Sequence, residues 1–536
     1  MFTRLLPWTV ALLLAAELSA QQPARHFDGN SWWSHVSVLA NDNMEGRETG
    51  SEGLRKSEAY VIDQFKKAGL QPAGVNGFYQ PIKFISREIV EKDSSAALVR
   101  EGKVEPLNLG EDAYFNTRID LAPEEITAQL VFVGYGLKIP EHNYDDLAGQ
   151  DLKGKIVVYL AGSPSEIPTA LSAHYQTLGE RWKALKDAGV LGTINIPNPA
   201  SMDIPWSRMS LSRTRPSMDL AEPEFNETPG EKVGLTFNPA QAEKLFAGSG
   251  HTFAEIAALG KDRKPLPRFP LAVSLKTRAR MRVTAVESAN VIAKLPGSDP
   301  ALKDQYVVLS AHADHLGIGE PINGDRIYNG AMDNASGVAV VLDVASSLKA
   351  QAERLHRSIL FVIVTAEEKG LLGSKYFAAH PTVPRKSIIA DVNIDMFLPI
   401  VALKVLKVQG IAESDLGDRA RDAAQLFGVR VQPDPEPLRN AFIRSDQYNF
   451  IRHGIPAVKL DLGYDPGSPE QKIFKDWLTQ RYHAPSDDLQ QPVNRDSAAV
   501  YEEIVRQLLI STANAEARPQ WNADSIFRRY ASAGKD

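Results

Sequence analysis

Residues 306–317 read YVVLSAHADHLG, an apolar run of strand length that passes directly into His312, Ala313 and Asp314. Two runs of the same texture follow, SILFVIVTA (358–366) and SIIADVNI (387–394), and IPAVKL (455–460) is a fourth. Between the first two lies NASGVAVVLDVASSLKA (334–350), long enough for a buried helix. Continuous apolar runs mark strands covered on both faces, and their alternation with helical stretches predicts an α/β fold. The expected architecture is a mixed, largely parallel central sheet with helices on both faces.

Upstream, SEGLRKSEAYVIDQFKKAGLQP (51–72) places Leu54, Val61, Ile62 and Phe65 on one helical face, closed by Gly69 and Pro72. From about residue 90 to 285 the texture changes. Short β-rich runs such as QLVFVGYGL and KIVVYLAG alternate with Pro-rich stretches such as IPNPASMDIPW. This reads as an inserted β-rich module with no catalytic-looking cluster. An amphipathic helix near 497–512 closes the principal domain, and the tail after Arg518 is polar and expected to be peripheral. The predicted organisation is a targeting segment at 1–20, a first part of the principal domain at 21–90, the insert at 91–285, the remainder at 286–515 and a tail at 516–536.

The targeting segment is MFTRLLPWTVALLLAAELSA. Arg4 precedes an apolar run from Leu5 to Ala16, and small residues Ser19 and Ala20 follow. The run is shorter than the ~20 residues of a membrane span and fits the ~7–15 of a signal-peptide core. The expected location is secreted or periplasmic, with no membrane association after cleavage. The chain has 536 residues, 43% hydrophobic and 24% charged, which excludes a disordered or fibrous protein. Its net charge of −6 shows no basic footprint, so no nucleic-acid partner is expected. Cysteine is absent, so thiolate metal sites, disulfides and Cys nucleophiles are excluded. Any metal must be held by His, Asp or Glu.

Such residues sit at the strand ends. The first run ends in His312, the second in Glu367 and Glu368, the third in Asp395. In open α/β sheets ligands bind beyond the carboxyl ends of strands. Two loop residues join the set: Asp333 in NGAMDNASG and His483 in RYHAPSDD. Each has an ordinary structural reading; Asp333, for instance, is well placed to cap the helix that follows. Together, two imidazoles and three carboxylates suit zinc, or two zinc ions sharing one carboxylate. Glu367, adjacent to Glu368 but pointing differently, is then available as a general base toward a metal-bound water. HExxH, GxSxG, GxxxxGK[ST] and GxGxxG are all absent, which removes the thermolysin-type helix, the nucleophile elbow and the common nucleotide loops.

The ordered motifs HADHLG, NGAMDNASG, TAEEKGLLGS, NIDM, RSDQYNFIRHGIPAV and YHAPSDD resemble the two-zinc metallopeptidases of family twenty-eight. The likeness covers about 31–75 and 288–512, and the 90–285 segment resembles, less specifically, the protease-associated domain inserted in such enzymes. The resemblance implies the zinc-exopeptidase type of fold and a site of two zinc ions. His312 and Asp395 would bind one ion, Glu368 and His483 the other, and Asp333 would bridge them. Glu367 would be the base, and the peptide bond after Asp333 would be cis. Asp314 would accept the free ring N–H of His312, Tyr482 would hold the developing oxyanion, and Arg444 would contact substrate.

The expected function is a secreted zinc exopeptidase acting on peptides, foremost an aminopeptidase. The alternatives are a carboxypeptidase or dipeptidase of the glutamate type and, from another class, an inactive peptide-binding protein. Arg444 suits either end of a substrate, and nothing in the sequence sets the oligomeric state.

Overall fold

In the computed structural model, residues 25–119, 122, 124–351 and 354–535 are described; the expected targeting segment at 1–20 lies outside them. The long apolar runs fold as strands buried on both faces. The large sheet contains β1 (Tyr79–Ile89), β2 (Ser217–Leu220), β3 (Met281–Leu295), β4 (Tyr306–His312) and β5 (Ser358–Val364). It continues with β6 (Ile388–Asn393), β7 (Val405–Gln409), β8 (Arg430–Gln432) and β9 (Ala457–Leu462). Their order is β2-β1-β3-β5-β4-β6-β9-β7-β8, and the short strand Gln71–Pro72 pairs with β3. The central four, β5-β4-β6-β9, are parallel, while β3 and β7 flank them antiparallel. The sheet is therefore mixed with a parallel centre.

Side-chain alternation assigns each face of this sheet to a different set of helices. Val307, Leu309 and Ala311 of β4 share one core with Ile359, Phe361 and Ile363 of β5. That face is covered by α1 (Asn30–Leu39), α2 (Glu52–Lys67), α3 (Ser336–Lys349) and α7 (Arg495–Asn514). Leu54, Val61, Ile62 and Phe65, the predicted face of α2, are all buried there. Tyr306, Val308, Leu360, Val362 and Val364 face the other way. They meet α4 (Leu372–Ala379) and α5 (Gln447–Arg452) through Phe377, Phe450 and Ile451. A further helix, α6 (Pro469–Gln480), packs Phe474, Trp477 and Leu478 into the core shared by Val307 and Phe361. A cleft opens beyond the C-terminal ends of β5 and β6, lined by Glu367 and Asp395.

β1 and β3 pair antiparallel from Tyr79↔Val291 to Ile89↔Met281, so the chain leaves the large sheet and returns beside its point of departure. The excursion builds an eight-stranded sheet between Ser95 and Arg278, with a separate hydrophobic core that includes Leu130, Phe132, Ile156, Val158 and Phe246. One piece of this segment departs from the predicted pattern. β2 rejoins the large sheet by pairing with β1, with Met218 and Leu220 packed against Ile82 and Phe84.

The C-terminal segment corrects the expectation of a peripheral tail. Phe527 is fully buried with Val308 and Val362 in the core on their face of the large sheet, against Phe442, Tyr448 and His174. The isolated bridge between Ser414 and Trp521 anchors the approach to it. The polar average of the tail concealed one aromatic anchor.

Candidate metal centre

Parallel strands in register bring their C-terminal ends to one line. His312 is the last residue of β4 and lies opposite Val364, the last of β5; Ser310 lies opposite Asn393, the last of β6. Glu367 and Asp395 leave the adjoining loops within reach of His312, and Glu368 reaches His315 and His483 instead. Three non-glycine residues at these turns adopt left-handed backbone conformations: Ala366 (φ 56°), Met396 (φ 55°) and His483 (φ 55°). Such conformations cost energy and cluster where side chains must be aimed. The peptide bond between Asp333 and Asn334 is cis.

Asp333 stands at the centre. Its Oδ1 lies 3.3 Å from His312 Nε2, and its Oδ2 lies 3.3 Å from His483 Nε2. Asp395 Oδ1 is also 3.3 Å from His312 Nε2, and Glu368 Oε2 is 3.2 Å from His483 Nε2. Two clusters, His312–Asp395 and His483–Glu368, thus meet on the two oxygens of one carboxylate. Glu367 offers an oxygen that lies within 4.8 Å of ligand atoms of His312 and Asp395. Asp333 does not cap α3; the Gly337 amide is taken by Asn334 Oδ1 at 3.0 Å.

The donor set fits zinc. Ligand atoms at ~2.0–2.1 Å from a tetrahedral ion stand about 3.3 Å apart, and the four imidazole–carboxylate separations are 3.2–3.3 Å. The charge balance also calls for cations. Burial pushes the Glu367 carboxyl well above the usual range; His312 opposes this, and Asp395 and Glu368 add to it. Burial likewise works against ionised Asp333 and Glu368, yet the neighbouring histidines hold both low. A crowd of buried carboxylates with too few cations is stabilised by bound metal.

Three residues hold the loops that carry these ligands. Asp487, in YHAPSDD, accepts the amides of Met332 at 3.0 Å and Asp333 at 3.0 Å. Asp314 accepts the amides of Glu367 at 3.0 Å and Glu368 at 3.2 Å. Arg47 is 1% exposed and donates to the carbonyls of Ala313, Leu39, Asn329 and Gly330. Carboxylates thus take the loop N–H groups while a guanidinium takes the C=O groups. Gly330 (φ 60°) is required beside them, because a Cβ there would meet the Asp333 carbonyl at 2.2 Å and the His315 ring at 2.6 Å.

The role expected of Asp314 is corrected by this geometry. Its carboxylate is 3.9 Å from His312 Nδ1, beyond hydrogen-bond reach. Nδ1 instead faces the Asp314 backbone carbonyl at 3.1 Å. The ring tautomer is still set by residue 314, through its main chain. Tyr482 and Arg444 are brought together at the rim: Arg444 Nη2 donates to the Tyr482 hydroxyl at 3.1 Å, and Nη1 to Asp203 at 2.7 Å. The Tyr482 ring lies 3.9 Å from that of His483. Burial, with Asp333 and Glu368 nearby, pushes the Tyr482 hydroxyl far up, so it stays a proton donor.

Sequence reasoning missed His315, Asp487 and Arg47. His315 Nδ1 is 2.6 Å from Glu368 Oε1, and the ring belongs to the cluster with Asp333 and Glu368. Its signal was legible, since it lies in the same HADHLG run as His312. Asp487 likewise lies in the same YHAPSDD run as His483, whereas Arg47 carries no local signal.

Residues 290–509 match the model of peptidase family M28. Carboxypeptidase Q from Bos taurus is 25% identical over 436 residues, 80% of this chain and 77% of that protein. A probable leucine aminopeptidase 2 from Aspergillus fumigatus is 28% identical over 255 residues, 45% of this chain and 47% of that protein. Among solved structures, an aminopeptidase from Aneurinibacillus sp. strain AM-1 shares the fold with a TM-score of 0.54 and 20% identity, covering 92% of this chain and 95% of that one.

Proposed function

We propose that this chain is a two-zinc exopeptidase of the M28 type that releases N-terminal residues from peptides, and that residues 1–20 direct its export. The observation that carries the reading is the shared carboxylate of Asp333, with an imidazole and a second carboxylate on each side and Glu367 next to them. His312 and Asp395 would hold one ion, His483 and Glu368 the other, and Asp333 both. When bound, zinc lowers the pKa of a coordinated water and polarises the scissile carbonyl.

The chain's own residues supply the rest. Glu367 lines the cleft with Asp333, Asp395 and His483. Its carboxylate takes a proton from the attacking water and returns it to the leaving nitrogen. Tyr482 already accepts a hydrogen bond from Arg444, which leaves its own O–H free to donate to the developing oxyanion. His315 buttresses Glu368 from behind. The β-rich unit lends Asp203 to the rim, where it fixes Arg439 and Arg444, and we assign it the shaping of peptide access. Among the described residues no helix is long and apolar enough to cross a membrane.

A second reading, cleavage from the C-terminal end, draws support from the basic side chains around the cleft and from the likeness to carboxypeptidase Q. The inactive peptide-binding alternative has no support, since the base candidate and all five ligand candidates are assembled. The deciding experiment is metal analysis of the purified protein together with hydrolysis of aminoacyl-p-nitroanilides, before and after chelation. About two zinc ions per chain, with cleavage lost on chelation and restored by zinc, is expected. Folded protein that takes up no zinc would overturn the reading.

A further inference from the structure

Next to the metal centre the cleft is walled by β7 and β9. These strands are antiparallel, with Lys407 opposite Asp461 and Gln409 opposite Lys459. Alternation places Leu406, Val408, Leu460 and Leu462 in the hydrophobic core. The opposite face therefore presents Lys407, Lys459 and Asp461, and all three line the cleft that contains Asp333, Glu367 and His483.

The charges on this wall do not balance. Asp461 is the shared partner of both lysines, 3.4 Å from Lys407 Nζ and 3.0 Å from Lys459 Nζ. Lys459 also reaches Asp395 at 3.6 Å, but that carboxylate is one of the metal-ligand candidates. Lys407 has no other charged partner among the described residues. Its ammonium lies 5.9 Å from the centre of the Phe474 ring, and the Arg439 guanidinium lies 5.3 Å from the same ring. Arg439 and Arg444 also face the cleft, yet both are tied to Asp203, and Arg439 has Glu436 in addition. Asp203 is shared by the two arginines and Glu436 is also paired with Lys475 at 2.9 Å, so neither pair of cations is fully matched, and on the lysine pair one positive charge is left facing the cleft. Lys407 and Lys459 are 3% and 8% exposed, so solvent compensates that charge poorly. A purely apolar substrate group would leave it uncompensated at a cost.

We propose that Lys407 and Lys459 form a subsite for a substrate carboxylate, with Phe474 packing against the aliphatic part of the group that bears it. The proposal rests on the exopeptidase reading and adds the substrate class: peptides with an anionic group next to the scissile bond. Two sources supply that chemistry, the side chain of an N-terminal Asp or Glu and the free C-terminal carboxylate.

The test pairs kinetics with binding. Glu-, Asp-, Gln- and Leu-p-nitroanilides examine the first source, and N-blocked dipeptides with free or amidated C-termini examine the second. In the zinc-loaded wild type, the acidic member of one series should exceed its neutral counterpart in kcat/KM. In Lys407→Met that ratio should fall roughly tenfold to a hundredfold, and Lys407→Arg should recover part of it. A merely structural lysine would lower both members alike. Calorimetry of glutamate, glutamine and glutamine α-amide on the zinc-loaded protein gives a readout independent of turnover: glutamate over glutamine marks the side-chain source, glutamine over its α-amide the C-terminal source, and the preference is lost in Lys407→Met. Cleavage of neutral substrates with an unchanged ratio, or equal binding of glutamate, glutamine and glutamine α-amide, would overturn the subsite and leave the exopeptidase reading intact. No cleavage in either series despite bound zinc would overturn the exopeptidase reading, and the calorimetric comparison would still decide the subsite.

Discussion

The Asp314 carboxylate accepts the backbone N–H of Glu367 at 3.0 Å, and in doing so fixes the main chain from which the candidate base projects. Its other oxygen takes the amide of Glu368 at 3.2 Å and the hydroxyl of Thr49 at 3.2 Å. One buried side chain thereby orients both a ligand and a base. Asp314→Ala strands two buried amides. We expect activity to fall about 10- to 100-fold with a measurable loss of thermal stability, while Asp314→Asn, which keeps one acceptor oxygen, should lose less. Steady-state kinetics beside a melting curve checks both.

Glu367→Gln removes the proton acceptor and preserves shape. Catalysis should drop about 10²- to 10⁴-fold, with zinc content equal to wild type by elemental analysis. Full activity with zinc bound would eliminate the proton-transfer role.

The bridge at Asp333 distinguishes its loss from loss of a terminal ligand. His483→Ala should leave about one zinc per chain, because His312, Asp333 and Asp395 remain. Asp333→Ala should weaken both positions and bring the content well below one. Native mass spectrometry after equilibration in limiting zinc reads the stoichiometry directly.

Arg47 is a stability prediction. Its guanidinium is surrounded by carbonyl acceptors, and burial lowers its pKa to about 10 although Asp487, Asp333 and Asp314 support the charge. Arg47→Met would strand several buried carbonyls and remove the countercharge. A loss of about 3–5 kcal/mol is expected, read from denaturant unfolding, along with weaker zinc binding because the loops of Ala313 and Gly330 are released.

His174 supplies a pH dependence away from the metal centre. Nε2 faces Arg529 Nη2 at 2.9 Å and must accept, so Nδ1 carries the proton toward the Tyr448 hydroxyl at 2.6 Å. Burial, reinforced by Arg529, lowers the pKa to about 3. The unfolded chain, with a histidine pKa of ~6.5, then binds more protons than the folded one between those values. This contribution is present in full above pH ~6.5 and is lost as pH falls toward 3, on the order of a few kcal/mol. Unfolding free energies across pH 4–7 should slope less in His174→Gln; an unchanged slope would remove His174 from the account.

Much of the fold was legible because burial on both faces leaves a strong signature. YVVLSA became β4 with one residue added, SIIADVNI trimmed to β6, and IPAVKL shifted to β9 at Ala457–Leu462. The ligand candidates were legible because a strand end is a local feature. His315 was in view but unread, since two histidines three apart carry no fixed geometry until the turn between them is known. Phe527 was hidden by averaging, as the mean over a polar tail does not single out one of its three aromatics, Trp521, Phe527 and Tyr530.

The sequence by itself determined the α/β alternation and the placing of His312, Glu367, Glu368 and Asp395 at successive strand ends, because strand periodicity and hydrophobic burial act over neighbouring residues. Only the tertiary structure decided that Asp333 faces two histidines, one of them 150 residues downstream, and that Arg47 and Asp487 hold the loops in place. It alone placed Lys407 opposite Asp461 on the wall of the cleft. Those relationships join residues far apart in the chain, and their energies come from desolvation and charge pairing that exist only once the sheet has brought them together.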